Sequence, residues 1–295
     1  MARKRTRKSK KKKSKNNTQK IFKKLNCSPK KNLKFSCYTN KSLNKIKYLW
    51  NKRHPDSKIL TNNPKDIWDQ LKFNMKDLCN TEKCWLKQNF MINNLDPELK
   101  NYTFAPPSPV EWKHDPNTWL TSIDINKIMK QYEIAYPSFI FIGPSPINFD
   151  RKQKFGECVW NDLCNFNLDK LIRKGKNKIG IIFNTDPHYL EGSHWICEFI
   201  DINKKFIFYF DSNGDKTPNE INKLNKKIMD QGNSIGINFN LYKNKTKHQK
   251  SDTECGMYVL YCIIQLLKNK MTPEMFDKRI PDEQMEEYRK IFFNP

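Results

Sequence analysis

The stretch His248-Gln249-Lys250-Ser251-Asp252-Thr253-Glu254-Cys255-Gly256, followed by the run Met257 to Leu267, decides how the rest of the chain is read. A polar loop that passes into a nearly unbroken apolar run predicts a buried helix. Cys255 stands at the junction, where the unpaired amides and the dipole of a helix start favour a thiolate. Gly256 behind it leaves room for a substrate backbone to approach. A thiol with an ordinary pKa of about 8.5 needs more than that to act as an acyl-transfer nucleophile: a base, an orienting group and a donor for the oxyanion.

Five histidines are available as the base: His54, His114, His188, His194 and His248. The first two lie in helical and proline-rich stretches, and His248 shares the loop of Cys255, where mobility would spoil its orientation. His194 opens a β-prone run ending at Ile202, joined through Asn203 and Lys204 to a second run, Lys205 to Asp211, which reads as a hairpin. In that hairpin position 194 pairs with roughly 211 to 213, so Asp211 comes beside His194 across the ladder. Gln249 can reach back over the loop toward the amide of Cys255 as an oxyanion donor. Taken singly, a strand-initial histidine, an aspartate at a strand end and a cysteine at a helix start each have a plain structural reading. Zinc is a rival through His188, His194, Cys197 or the pair Cys79 and Cys84. It fails because positions 194 and 197 face opposite sides of a strand and the pair lacks a second pair of ligands.

Outward from the site the pattern is mixed α/β. Phe139 to Ile142, Ile179 to Asn184 and Ile237 to Tyr242 read as further strands, Thr217 to Met229 as a helix, and Trp119 to Met129 as another. Leu43 to Met75 carries helical spacings that suggest a small arm domain, and Ala105 to Pro116 holds four prolines that mark a boundary or a covering strap. Three segments follow: a disordered polybasic tail at 1–33, a helical arm with a proline-rich linker at 34–116, and an α+β catalytic core at 117–295.

The charge is as uneven as the pattern. The 295 residues carry a net +24, with 55 Lys and Arg against 31 Asp and Glu, and 21 of the basic residues but none of the acidic ones lie before Asp56. The remaining 34 basic residues nearly balance the 31 acidic ones, so a basic tail precedes a neutral body. Such a tail fits nucleic-acid contact or nuclear targeting, and equally a solubilising extension. Nine cysteines without a secretory signal point to reduced thiols, with Cys158, Cys164, Cys197 and Cys262 read as core or incidental. No apolar run is long enough for a membrane span.

The segments Ser193-His194-Trp195, Phe210-Asp211-Ser212 and His248 to Gly256 resemble the active site of the adenain and Ulp/SUMO cysteine proteases, in which the order His, acid, Gln, Cys is specific. The string His-Gln-x-Ser-x-Thr-Glu-Cys-Gly and the segment Arg279-Ile280-Pro281-Asp282-Glu283 are most similar to the polyprotein-processing branch from African swine fever virus and giant viruses. The likeness covers roughly Trp119 to Pro295. It implies a mixed sheet flanked by helices, with the nucleophile at the start of a central helix. It also implies Cys255 as nucleophile, His194 as general base, Asp211 as its partner and Gln249 as oxyanion donor, with Trp195 and Gly256 contacting substrate and no metal or cofactor. The swine fever branch carries Asn at the Asp211 position, whereas Asp matches the Ulp branch, and Asp252 stands where some relatives carry a second Gln.

By that resemblance the substrate would be a viral structural polyprotein cut after Gly-Gly-Xaa, in the host cytoplasm at the assembly site, with packaging in the virion. Two alternatives remain open at this point. One is an isopeptidase acting on ubiquitin-like conjugates of the host. The other is a basic virion protein that binds nucleic acid through residues 1–55 and carries an inactive protease domain.

Overall fold

Five β-prone runs pair in the order in which they occur along the chain. The computed structural model describes residues 21–29 and 32–295. Most of the expected polybasic tail, and part of the segment expected to contact nucleic acid, lie outside the described residues. Two compact units are present. The first holds residues 43–94 with the described part of the segment up to Lys24, and the second holds 25–42 and 95–295.

The first unit is helical, as the spacing of its apolar residues requires. It contains most of α1 (Asn40–Arg53), then α2 (Pro64–Asn74), α3 (Glu82–Trp85) and α4 (Asn89–Ile92). Asn63 caps α2 by accepting from the amides of Lys65 and Asp66, with Pro64 in the first turn. Ile46, Leu49, Trp50, Ile67, Leu71 and Trp85 are buried there.

The second unit contains α5 (Pro97–Asn101), α6 (Ser122–Ala135), β1 (Phe139–Pro146), α7 (Asn161–Cys164), α8 (Leu168–Arg173), β2 (Lys178–Asn184), β3 (Trp195–Asp201), β4 (Phe206–Phe210), α9 (Asn219–Ser234), β5 (Asn240–Lys243), α10 (Cys255–Leu267) and α11 (Asp282–Phe292). The sheet is mixed: β1 with β2 and β4 with β5 are parallel, while β2, β3 and β4 pair antiparallel. Every residue of β3 and β4 is buried, so side chains alternate between two cores. Trp195, Cys197 and Phe199 enter one core with Phe208, Phe210 and α10. Ile196 and Ile200 enter the other with Ile207, Tyr209 and the apolar face of α9. All thirteen residues of α10 are buried, which is why its sequence is apolar all round.

Several expectations are corrected. Residues 25–29, assigned to a disordered tail, are part of the second unit: the Asn26 amide donates to Asn294 Oδ1 at 2.7 Å and the Ser28 amide to Thr103 O at 3.1 Å. The proline-rich strap belongs to the same unit, because Ala105 O and Pro106 O accept from the side chain and amide of Asn294. Trp119 and Leu120 precede α6 rather than open it, since Thr121 forms a capping box with Asp124. The thiols are not all reduced: Cys27–Cys37, Cys79–Cys84 and Cys158–Cys164 are disulfides, leaving Cys197, Cys255 and Cys262 free. Each bridge closes a short loop, of 10, 5 and 6 residues in separation, a local proximity that reasoning from compartment passes over.

Glu198 is fully buried in the middle of β3, on the face toward α9. Asn225 of α9 approaches its carboxyl without a well-aligned hydrogen bond. Burial, opposed only in part by Asn225 and Lys243, lifts that carboxyl from 4.5 to about 8. A folded-state pKa raised above the unfolded one gives stability that is full below about 4.5 and declines as the pH climbs to about 8. Thermal denaturation of Glu198→Gln from pH 4.5 to 8 is therefore expected to show a flatter decline than the parent. Equal slopes would exclude this carboxyl as the source.

Candidate active site

The hairpin of β3 and β4 carries the base and its partner to one end of the sheet. Cys197 pairs with Phe210, so both His194 and Asp211 lie just past the last paired positions. The turn between the strands is longer than the two residues expected, and Lys205 closes it at φ 56°. Even so, His194 Nε2 donates to Asp211 Oδ1 at 2.7 Å. The same oxygen accepts from the Asn213 amide at 2.9 Å. Asn244 fixes the Asp211 backbone from both sides, its Oδ1 accepting from the Asp211 amide at 2.8 Å and its Nδ2 donating to the Asp211 carbonyl at 2.9 Å.

With Nε2 committed to the carboxylate, the imidazole also lies near enough to the Cys255 thiol to interact with it. Burial by itself would lower the histidine pKa. The Asp211 hydrogen bond, the Cys255 hydrogen bond and the charges of both groups outweigh it and raise the imidazole from 6.5 to about 10. An imidazole that keeps its proton beside a sulfur is half of the ion pair a thiol nucleophile needs. Cys255 is the first residue of α10, at the positive end of the helix, and is 1 % exposed.

Gln249 is buried and oriented by Ser212, whose hydroxyl donates to Gln249 Oε1 at 2.8 Å. That contact assigns the oxygen of the amide and leaves Nε2 available to donate. The Ser212 carbonyl also accepts from the amides of His248 and Gln249, at 2.8 and 3.0 Å. Thus the residue after Asp211 ties Gln249 to the end of β4.

Sequence reasoning missed Ser212, Asn244 and the function of the final segment. The Arg279 Nε donates to His248 O at 2.9 Å, and the Ile280 amide donates to His248 Nδ1 at 3.0 Å. Asp282 Oδ2 accepts from the amides of Lys250 and Ser251 at 2.9 and 3.1 Å, while its Oδ1 accepts from Tyr258 at 2.8 Å. His248 is therefore buried and pinned, not mobile, and burial holds its imidazole down at about 4. The signal available in the sequence was the Arg279 to Glu283 string itself, whose charges have no role in a core.

Trp195 and Gly256 meet a common neighbour. Trp195 Nε1 donates to Leu120 O at 3.0 Å, and a Cβ placed on Gly256 would lie 2.9 Å from Leu120 Cβ. The bare glycine makes room for the Leu120 side chain, in the short strap 117–120 that follows the proline-rich segment. Trp195 also lines a cleft of about 430 Å³ with Trp119, Leu120, Pro144, Asn184 and His188. Arg289 of α11 braces the same strap: it pairs with buried Glu254 at 2.8 Å and donates to Thr118 O at 3.0 Å. His54 and His114 lie elsewhere, His54 stacked on Trp50 in the first unit. Cys79 and Cys84, weighed as metal ligands, are joined to each other.

Two measurements test this geometry. Asp211→Ala should lower kcat/KM by about 10²–10⁴-fold and move its alkaline limb, expected near pH about 10, toward neutrality as the imidazole loses its raised pKa. The stability His194 contributes is full below 6.5 and decays through about 10, so the melting advantage of the parent over Asp211→Ala should vanish above that pH. Unmoved pH profiles would break the assignment. For Asp282→Ala, kcat should fall about tenfold to a hundredfold with little change in KM, because the loop carrying Gln249 shifts. Asp282→Asn, which retains an acceptor, should lose less. A change in KM alone would contradict a positioning role.

Comparison with known proteins agrees with this geometry. Residues 169–294 match the model of the Ulp1 protease family, C-terminal catalytic domain. The chain is 32 % identical over 235 residues to a protein of Acanthamoeba polyphaga mimivirus named as a thiol protease, covering 78 % of this chain and 74 % of that one. It is 27 % identical over 183 residues to a protein of African swine fever virus named as a SUMO-1 cysteine protease, covering 59 % and 67 %. The crystal structure of the African swine fever virus protease superposes with a TM-score of 0.65 at 22 % identity, covering 91 % of this chain and 95 % of that one, which shows the shared fold.

Proposed function

Because the chain belongs to the Ulp1 protease family of cysteine proteases, we propose that it is an endopeptidase that cleaves structural polyprotein precursors of a large DNA virus after Gly-Gly-Xaa. The reading rests above all on one observation: the His194 imidazole is hydrogen-bonded to Asp211 and lies close enough to the Cys255 thiol for the two groups to interact. The similarity to the two viral proteins supports thiol-protease chemistry.

In the proposed reaction the Cys255 sulfur attacks the scissile carbonyl carbon and the carbonyl oxygen becomes an oxyanion. The Cys255 amide and Gln249 Nε2 donate to it. Collapse breaks the C–N bond as the His194 imidazolium passes its proton to the departing amine, leaving a thioester. Water enters, gives a proton to the now neutral His194 and attacks the thioester; the thiolate leaves and the carboxylic product is released. Asp211 stabilises the imidazolium throughout. The setting is the cytoplasmic assembly site of the infected cell, and the basic residues before Asp56 supply affinity for nucleic acid by releasing counterions.

The test is a set of matched substrates: a Gly-Gly-Xaa polyprotein segment, a SUMO conjugate and a ubiquitin conjugate. Rapid cleavage of the first, with selective labelling of Cys255 by a Gly-Gly electrophile, is the expected result. Cys255→Ala should abolish both. Gln249→Ala should lower kcat by about 10²–10³-fold. Preferred cleavage of either conjugate would instead identify a deconjugating enzyme, and an unlabelled Cys255 in folded protein would refute a catalytic role.

A further inference from the structure

Residues 149–160, between β1 and α7, form a small hairpin whose tip the rest of the described chain leaves uncovered. The Trp160 amide donates to Phe149 O at 2.9 Å, the Val159 amide to Arg151 O at 3.0 Å and the Gln153 amide to Glu157 O at 2.7 Å. Gly156 closes the turn at φ 84°, and the Cys158–Cys164 disulfide ties the returning strand to α7. This is a braced projection, and at its end Phe155 is 93 % exposed. A rigid turn presenting a fully solvated phenylalanine has no reason in folding.

Asn148 clips the hairpin to the loop after β2, accepting from the His188 amide at 3.0 Å. Between them runs a cleft of about 450 Å³ lined by Arg151, Lys152, Lys154, Phe155, His188 and Tyr189. No carboxylate lines it, although the hairpin contains Asp150 and Glu157. Among the described residues none of its three cations forms an ion pair. Arg151 lies over the Tyr189 ring at 5.9 Å, and Lys152 donates to Cys158 Sγ at 3.1 Å. His188 lines this cleft and also the cleft beside Trp195, so the two are neighbours that share a wall.

We propose that this basic, aromatic cleft docks an acidic segment of the polypeptide substrate a few residues from the scissile bond. The charge is complementary, the aromatic tip offers apolar contact, and the shared His188 sets the cleft beside the Trp195 cleft, within reach of one extended chain. Nucleic acid is disfavoured, because three cations around one small cleft do not make the row of contacts that a phosphate backbone follows. The inference rests on the endopeptidase reading above.

The experiment compares Gly-Gly-Xaa peptides that differ only in one flank, a run of Asp and Glu or a run of Ser and Gln, placed on either side of the cleavage site. The parent should cut one acidic peptide preferentially, and the preference should shrink with added salt. Arg151→Glu with Lys154→Glu should cost about tenfold in kcat/KM, through KM, on that peptide alone. Phe155→Ala should cost less, and cleavage of the neutral peptide should be unchanged. Fluorescence anisotropy of the acidic run without Gly-Gly, bound to Cys255→Ala protein, reads the cleft independently of cleavage. Binding that charge reversal removes would uphold the cleft even if no Gly-Gly peptide were cut. Equal cleavage of acidic and neutral peptides by the parent would overturn the proposal. So would an equal loss on both in the variant, or loss of single-stranded DNA binding with peptide kinetics intact.

Discussion

The antiparallel pairing of β3 with β4 is the constraint on which the site depends. It brings His194 and Asp211, 17 positions apart in sequence, to a 2.7 Å hydrogen bond at the end of the sheet. Once Nε2 is held there, the tautomer and the ring plane are set, and only Nδ1 can meet the sulfur. The register is protected in turn by burial. Every side chain of both strands is inside, and a slip of one residue would carry Trp195 and Cys197 into the core of Ile196 and send Glu198 against α10. The base is therefore positioned by the same apolar alternation that stabilises the sheet, and no separate device is required for it.

The nucleophile loop needs the opposite arrangement. Residues 244–254 contain little apolar surface to fix them, and hydrogen bonds from two directions do so instead. Ser212 holds the loop from the side of β4, and Arg279, Ile280 and Asp282 hold it from the start of α11. The Glu254–Arg289 pair belongs to the second group. Taking both charges out of water costs about as much as their attraction returns, so the pair is a poor source of stability. Its contribution is geometric: one guanidinium joins the residue before Cys255 to the carbonyls of Asn117 and Thr118, and stacks on Trp112 at 4.5 Å. Removing either partner would strand a buried charge and free the strap that lies on Gly256.

What could be read in advance follows from how local each signal is. The strands and α10 were legible because their apolar runs are dense and bounded, and the meeting of His194 with Asp211 was legible because hairpin geometry is a short-range rule. Ser212 and Asn244 were not. A serine beside a turn and an asparagine in a loop are the commonest residues of such places, and only their partners, 37 and 33 positions away, reveal what they hold. The disulfides escaped for another reason, since the argument from redox compartment set aside pairs already close in sequence. Gly256 shows the sharpest difference. Its lack of a side chain was understood, but which group takes the vacated space is a tertiary fact, and that group is the Leu120 side chain.

The depth of the sulfur links the chemistry to the proposed docking cleft. Cys255 is 1 % exposed, with Leu120 against Gly256 on one side and Trp195 hydrogen-bonded to Leu120 near the imidazole. A carbonyl reaching such an atom is best carried by residues without a Cβ, which fits the proposed preference for Gly-Gly. Selection for the absence of a side chain has a consequence of its own: glycine gives an enzyme almost nothing to hold except its backbone. The free energy that seats the scissile bond and offsets the ordering of two flexible glycines must come from remote parts of the substrate. A basic and aromatic cleft that shares His188 with the Trp195 cleft lies where such remote binding could be used. Recognition at a distance is in this sense what the proposed Gly-Gly preference at a buried thiol would require.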